Sequence, residues 1–357
     1  MKSAAQLALS IDRFRDGFWG RGAVDHPPIG VFPDRSLLPV NYLKAPFPRA
    51  EVLPSDVSPA LARTDFEDAS FGRRVISDDW MPFSAAWRAI PWLEAVCGCG
   101  VPVAEGSLSA QHLVESVADL PELPLPGKVE WRECLREQTA FLVETSPPDC
   151  WVSPTIIRGL SDALAGLRGL TDFFLDIYDA PEIVEETAAR ICDVLLDLVE
   201  MHFAAVPPKL GGYGHIFGYW ADGPSFVLQE DMMGLCSPEV YRDHFMALDA
   251  RIVERLGPRT LFHMHTTGYQ HYRHVLQIPG LDGLQLTVEA NGPRLLELAP
   301  AFREVLEQTR LIVFVDAQFE DLPAVLRQIP HEGLYLMVSD RFIPSEEDYQ
   351  AFLAENW

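Results

Sequence analysis

Two histidines one residue apart, in Phe262-His263-Met264-His265, are the side chains whose type and spacing best suit chemistry. The segment TLFHMH is short and apolar enough to be a strand. A strand's period of two then sends His263 and His265 to one face and Phe262 and Met264 to the other. A little further on, LDGLQLTVE repeats the pattern: Gln285, Thr287 and Glu289 share one face while Leu284, Leu286 and Val288 share the opposite one. A carboxylate that meets two imidazoles completes a common ligand set for zinc, with one position left for water or substrate. The same spacing also suits a hydrogen-bonded pair of interior histidines. A set made only of nitrogen and oxygen is harder than a thiolate site, so iron, manganese or cobalt can take the place of zinc.

Other polar residues gather at the ends of apolar segments: Gln229, Glu230 and Asp231 after FVL, Asp316 after RLIVFV, Ser339 and Asp340 after GLYLMV. In a parallel α/β architecture the carboxyl ends of the strands are the rim where binding and catalytic groups collect. The remaining candidates read as structural. Cys97-Gly98-Cys99 has no second cysteine pair at metal-site spacing and suits a glycine turn. His215 lies in GGYGHIFGYW, an aromatic cluster, while His271 and His274 follow the His-x-His strand as surface or supporting groups. Gly211-Gly212-Tyr213-Gly214 lacks the strand-to-helix setting of a phosphate loop.

The elements that must position these groups follow from periodicity. From about residue 224 strand-like and helix-like segments alternate: FVLQED, helix 238–256, TLFHMH, helix 269–277, LDGLQLTVE, helix 294–308, RLIVFVDA, helix 321–328, GLYLMVSD and helix 346–355. Such alternation predicts parallel strands joined by crossover helices, in a barrel or a doubly wound sheet. Earlier, helical spacing marks 131–144 and 181–203, the latter with Pro181 at its first position. The first eighty residues read as an amphipathic helix followed by an irregular Pro- and Gly-rich covering segment. With 357 residues, the chain suits one barrel domain over 81–357, since such barrels typically need about 250.

Composition narrows the partners. Against 52 acidic residues stand only 28 Lys and Arg, a net charge of -24, which leaves no basic stripe for nucleic acid. No long uncharged apolar run suits a membrane span, and the apolar stretch before Asp12 is too short for a secretory signal. Six scattered cysteines fit reduced thiols in the cytoplasm.

Several stretches carry a resemblance. LQEDMMGLCSPEVYRDHF, FHMHTTG, IPGLDGLQL and GLYLMVSD look like the C-terminal half of the uroporphyrinogen decarboxylase superfamily, and PWLEAVCGCGV resembles a turn in its methyltransferase-like and uncharacterised branches. The resemblance spans roughly residues 80–355. It implies a (β/α)8 barrel of the TIM type with a deep cleft at the strand carboxyl ends. The superfamily's activities divide between tetrapyrrole decarboxylation and zinc-dependent methyl transfer with a thiol or a corrinoid protein. Nothing in residues 1–60 reproduces the arginine signature of the decarboxylases. Relative to the methyltransferases, His263-Met264-His265 replaces a His-x-Cys pair, and no cysteine follows Cys236, so Glu289, Asp316 or Asp340 must complete any metal site.

The expectation is therefore a metal-dependent methyltransferase acting on a small molecule, with zinc or another divalent metal on His263, His265 and Glu289. Asp231 serves as general acid or base, and Trp92, Glu94, His215, Gln229, Gln285 and Asp340 contact substrate. Any corrinoid arrives on a separate protein, and a homodimer is the prior for such barrels. A metal-free decarboxylase and a non-catalytic binding barrel are the alternatives.

Overall fold

The computed structural model of the chain describes residues 2–32, 50–60, 76–104 and 107–357, so part of the Pro- and Gly-rich stretch lies outside the described residues. Helix α1, Ala4–Asp12, starts at a capping box in which the Ser3 hydroxyl accepts from the Gln6 amide and the Gln6 side chain accepts from the Ser3 amide. It runs on as a wider π-helical turn through Trp19. Strand β1, Ile29–Phe32, follows, so the first eighty residues contribute a strand as well as a helix. Then come β2, Phe83–Ser84; α2, Trp92–Cys97; α3, Val129–Thr145; and β3, Trp151–Val152. Helices α4, Leu160–Arg168; α5, Leu170–Asp179; and α6, Pro181–Ala205, succeed one another without an intervening strand.

The regular half comprises β4, Phe226–Gln229; β5, Thr260–His265; β6, Gly283–Val288; β7, Arg310–Val315; and β8, Leu334–Ser339. The helix predicted over 238–256 is two, α7 Pro238–His244 and α8 Met246–Leu256, because Phe245 leaves the helical ψ/φ range and turns the chain. The predicted helix 269–277 is a 3-10 turn, Thr266–His271, and one α-turn, α9 Tyr272–Val275. Helices α10, Leu295–Gln308; α11, Leu322–Leu326; and α12, Glu346–Asn356, complete the chain.

Backbone pairing builds a six-stranded, wholly parallel sheet in the order β1-β8-β7-β6-β5-β4, and a separate parallel pair, β2 with β3. The first strand thus lies beside the last. Among the described residues the α/β class with its six-stranded parallel sheet is as expected, while these ladders do not by themselves join into a closed ring. The physical reason is length: β2 and β3 have two residues each and offer few backbone groups for a second partner.

Strand alternation gives the sheet a different core on each face. One face sets Phe262, Met264, Leu284, Leu286 and Val313 against α8, α10 and α11. The other carries Leu261, Ile312, Phe314, Tyr335 and Met337, packed on α1 residues and their extension (Phe14, Phe18, Trp19) and on the segment around Phe217 and Tyr219. His263, His265, Gln285 and Thr287 belong to this second face. They sit where its apolar filling gives way to the carboxyl ends of the strands.

Candidate metal centre

Register decides which side chains meet. Gln229, His263 and Gln285 stand side by side on β4, β5 and β6, and His265 stands beside Thr287. The Gln285 amide nitrogen donates to the Thr287 hydroxyl at 3.2 Å, which turns its oxygen toward His263, and that oxygen accepts from Nδ1 of His263. Glu289, just past β6, accepts from Nδ1 of His265 at 3.0 Å. With an acceptor at Nδ1 of each ring, both imidazoles turn their Nε2 atoms toward one another. The two Nε2 atoms are 3.2 Å apart. Asp231 Oδ1 lies 3.8 Å from each of them, buried and without a hydrogen-bond partner among the described residues.

Two ring nitrogens and a carboxylate oxygen that face one another at these distances call for a cation or a proton among them. Two nitrogens bound to a tetrahedral zinc at 2.0–2.1 Å stand about 3.3 Å apart, close to the separation observed. The donor set fits a divalent ion: Asp231, His263 and His265 hold their candidate ligand atoms within 4.8 Å of one another. Burial, the largest influence, pulls the His263 pKa below its usual value, although Asp231 acts against it, so the ring is neutral and ready to ligate.

The structure thus brings together His263, His265, Asp231, Gln285 and Glu289. Of the carboxylates weighed as third ligand, Glu289 addresses the outer nitrogen of His265 rather than the inner one. Asp316 pairs with Arg341 at 2.9 Å, and Asp340 follows β8 and donates its backbone N–H to Phe32. Asp231 holds the position between the two rings. Gln229 is half-buried, and its side-chain oxygen has no partner among the described residues.

Trp92 lies elsewhere, and Glu94 stands behind the centre, near enough to Asp162 to act on it. Trp92 is fully buried, donates to the Trp87 carbonyl and packs edge-on against Trp131, so it is a core residue and not a mouth residue. Glu94 is buried on α2 and paired with Arg158 at 2.7 Å. His215 is buried and stacked on Tyr219, with its pKa lowered by burial to about 3, so it is neutral. It reaches the centre only through Phe217, whose ring stacks on His263 at 5.9 Å between centroids. Cys97 and Cys99 are buried on either side of Gly98, and burial pushes the Cys99 thiol up to about 12 and Cys97 higher still, so both are protonated thiols.

Behind Asp231 stand Asp162 and Asp249, which sequence reasoning did not single out, and Glu230, which it named only in the strand-end cluster. Asp162, in the first turn of α4, accepts from the Asp231 backbone N–H at 3.0 Å. Burial, Asp231 and Glu94 raise its pKa to about 8. Glu230 caps α4 by accepting from the Leu160 and Ser161 amides at 2.6 and 2.8 Å. Burial and the carboxyls of Asp249 and Asp162 lift Glu230 well above the usual carboxyl range, and Asp249, which accepts from the Tyr241 hydroxyl, is raised by burial to about 7. The available signal was a lone acid in the otherwise apolar run LSDALAGL.

No protein-family model and no curated protein matches the sequence. Solved structures do match: the fold is similar to that of a methyltransferase from Methanosarcina mazei, with a TM-score of 0.60 and 14% sequence identity over 97% of this chain and 98% of that one. At this identity the likeness establishes a shared fold. No helix among the described residues is long and apolar enough to cross a membrane.

Proposed function

We propose that this chain is a metal-dependent methyltransferase of the uroporphyrinogen decarboxylase superfamily, with zinc or another divalent metal held by Asp231, His263 and His265. The observation that carries the reading is the convergence of two Nε2 atoms and the unpartnered Asp231 oxygen, each imidazole being fixed from behind by an acceptor at its Nδ1. The fold likeness to a methyltransferase supports it. So does the arrangement of β1 and β2. Asp79 and Asp78 accept from the Ile29 and Val31 amides and the Asp79 amide donates to the Ile29 carbonyl, which ties the approach to β2 to β1 as an eight-stranded barrel requires.

A divalent cation in this position supplies Lewis acidity, which lowers the pKa of a thiol or other heteroatom of a small substrate. The side chains do the rest. Gln285 and Glu289 hold the rings in one tautomer and one orientation. Phe217 covers the face of His263 and excludes water there. Asp162 anchors the backbone of Asp231, so the carboxylate keeps its place at the end of β4. The methyl donor is a small molecule or a corrinoid carried by a separate protein.

Elemental analysis of the purified protein, produced with zinc in the medium, tests the reading. The expected result is about one equivalent of metal, as a single three-ligand centre requires, lost from both His263→Ala and His265→Ala. Metal-free protein from zinc-, iron- and cobalt-supplemented cultures alike would refute it and bring a metal-free lyase to the front.

A further inference from the structure

Glu289 reaches His265 from a loop, and a loop end needs something to fix it. It lies one residue past β6, whose last residue, Val288, pairs with Val315 at the end of β7. Three residues beyond Val315, Gln318 stands in the left-handed region, with φ 60° and ψ 34°. That backbone is strained for a residue with a Cβ, and glycine would adopt it more readily. The Gln318 side chain must therefore offset a cost.

Its partners show how. The Gln318 Oε1 accepts from the amide of Leu295, the first residue of α10, at 2.6 Å, and its Nε2 donates to the Glu289 and Pro293 carbonyls, each at 3.2 Å. One amide donor and two carbonyl acceptors admit a single orientation of the side-chain amide. All three bonds go to the backbone of 289–295, and two of them hold its ends. The same loop is held from β5. The Glu289 N–H donates to the Thr266 hydroxyl at 3.3 Å, and a Cβ added at Gly292 would stand 2.1 Å from that Oγ1. Thr266 directly follows His265. Gln318 thus locks the end of β7 to the loop whose first residue meets His265 at 3.0 Å.

Building on the metal-centre reading, we infer that Gln318 is a positioning residue of the centre, which acts through Glu289 on His265 and so sets how tightly the metal is held. A ligating histidine is oriented by the acceptor behind it, and that acceptor is only as well placed as the backbone that carries it.

Competition for zinc between the protein and a chromophoric chelator tests the inference. Gln318→Gly removes the three bonds and relieves the backbone, so the chain should fold while its zinc affinity falls about tenfold, the lower end of what an outer partner of a ligand contributes. Gln318→Glu keeps the length of the side chain and the acceptor for Leu295 but turns an oxygen on two carbonyls, and should weaken binding as much. In a Glu289→Ala background, Gln318→Gly should change the affinity by less than about twofold, because the route runs through that carboxylate. An undiminished loss in that background, or unchanged affinity in either single variant, would overturn the role of Gln318 and leave the centre standing. Wild-type protein that takes up no zinc would overturn the centre and this role with it.

Discussion

Asp231 and Glu289 differ in which nitrogen of His265 they address, and that difference makes their roles separable. Glu289 sits behind the ring, so Glu289→Gln should keep the metal but weaken its affinity about 10–100-fold, the usual effect of losing an outer partner of a ligating histidine. Asp231→Ala removes a ligand and should cost more. Competition against a chromophoric chelator ranks the two, and the reverse order would reassign the third ligand. The histidine pair was legible in the sequence because a period of two needs only a strand. The choice between Asp231 and Glu289 was not, because it depends on which way the carboxylates at two adjoining strand ends turn. Asp162 showed only as a lone acid in an apolar run, and its partner could not be read because the contact with Asp231 spans 69 residues of sequence and joins a helix start to a strand end.

Elements hold the centre by filling the space beneath it. The turn 215–219 enters the inner face of the sheet, where the Tyr335 hydroxyl donates to the Phe217 and Gly218 carbonyls at 3.0 and 3.2 Å. Gly218 has a φ of 65°, and a Cβ there would meet the Trp80 ring at 2.2 Å. Gly218→Ala should therefore destabilise the chain by about 2–4 kcal/mol, combining the strain of a left-handed residue with overpacking, and displace Phe217 from His263. Urea unfolding reads the first effect, and a cost below about 1 kcal/mol would show that the turn is loosely packed. Segments that pack on one face showed themselves through periodicity, as with α6 and α10. The aromatic turn had no period to read. Its place inside the sheet comes from volume, since the large rings of its GGYGHIFGYW stretch fill what the strands leave open.

The molecule as a whole carries a net charge of -24 and also buries carboxyls beside one another, so alkali should act on it twice. Asp162 and Asp249 have folded pKa values raised to about 8 and about 7, both chiefly by burial. A raised acid favours folding while it is protonated. Stability is therefore full below the ordinary carboxyl range, near pH 4, and falls as pH rises toward 7 and 8, by up to about 1.4 kcal/mol per pH unit for each group. Asp249→Asn, which keeps a partner for Tyr241, should flatten the decline in melting temperature between pH 5 and 7. An unchanged slope would mean that Asp249 is ionised in the folded chain. The pairing of β1 with β8 has its own consequence, in time rather than energy. About 300 residues separate these strands, and β8 is the ladder partner of β1 among the described residues. The first strand cannot dock on β8 until the roughly 300 residues between them have been made, so this sheet edge closes late and slowly.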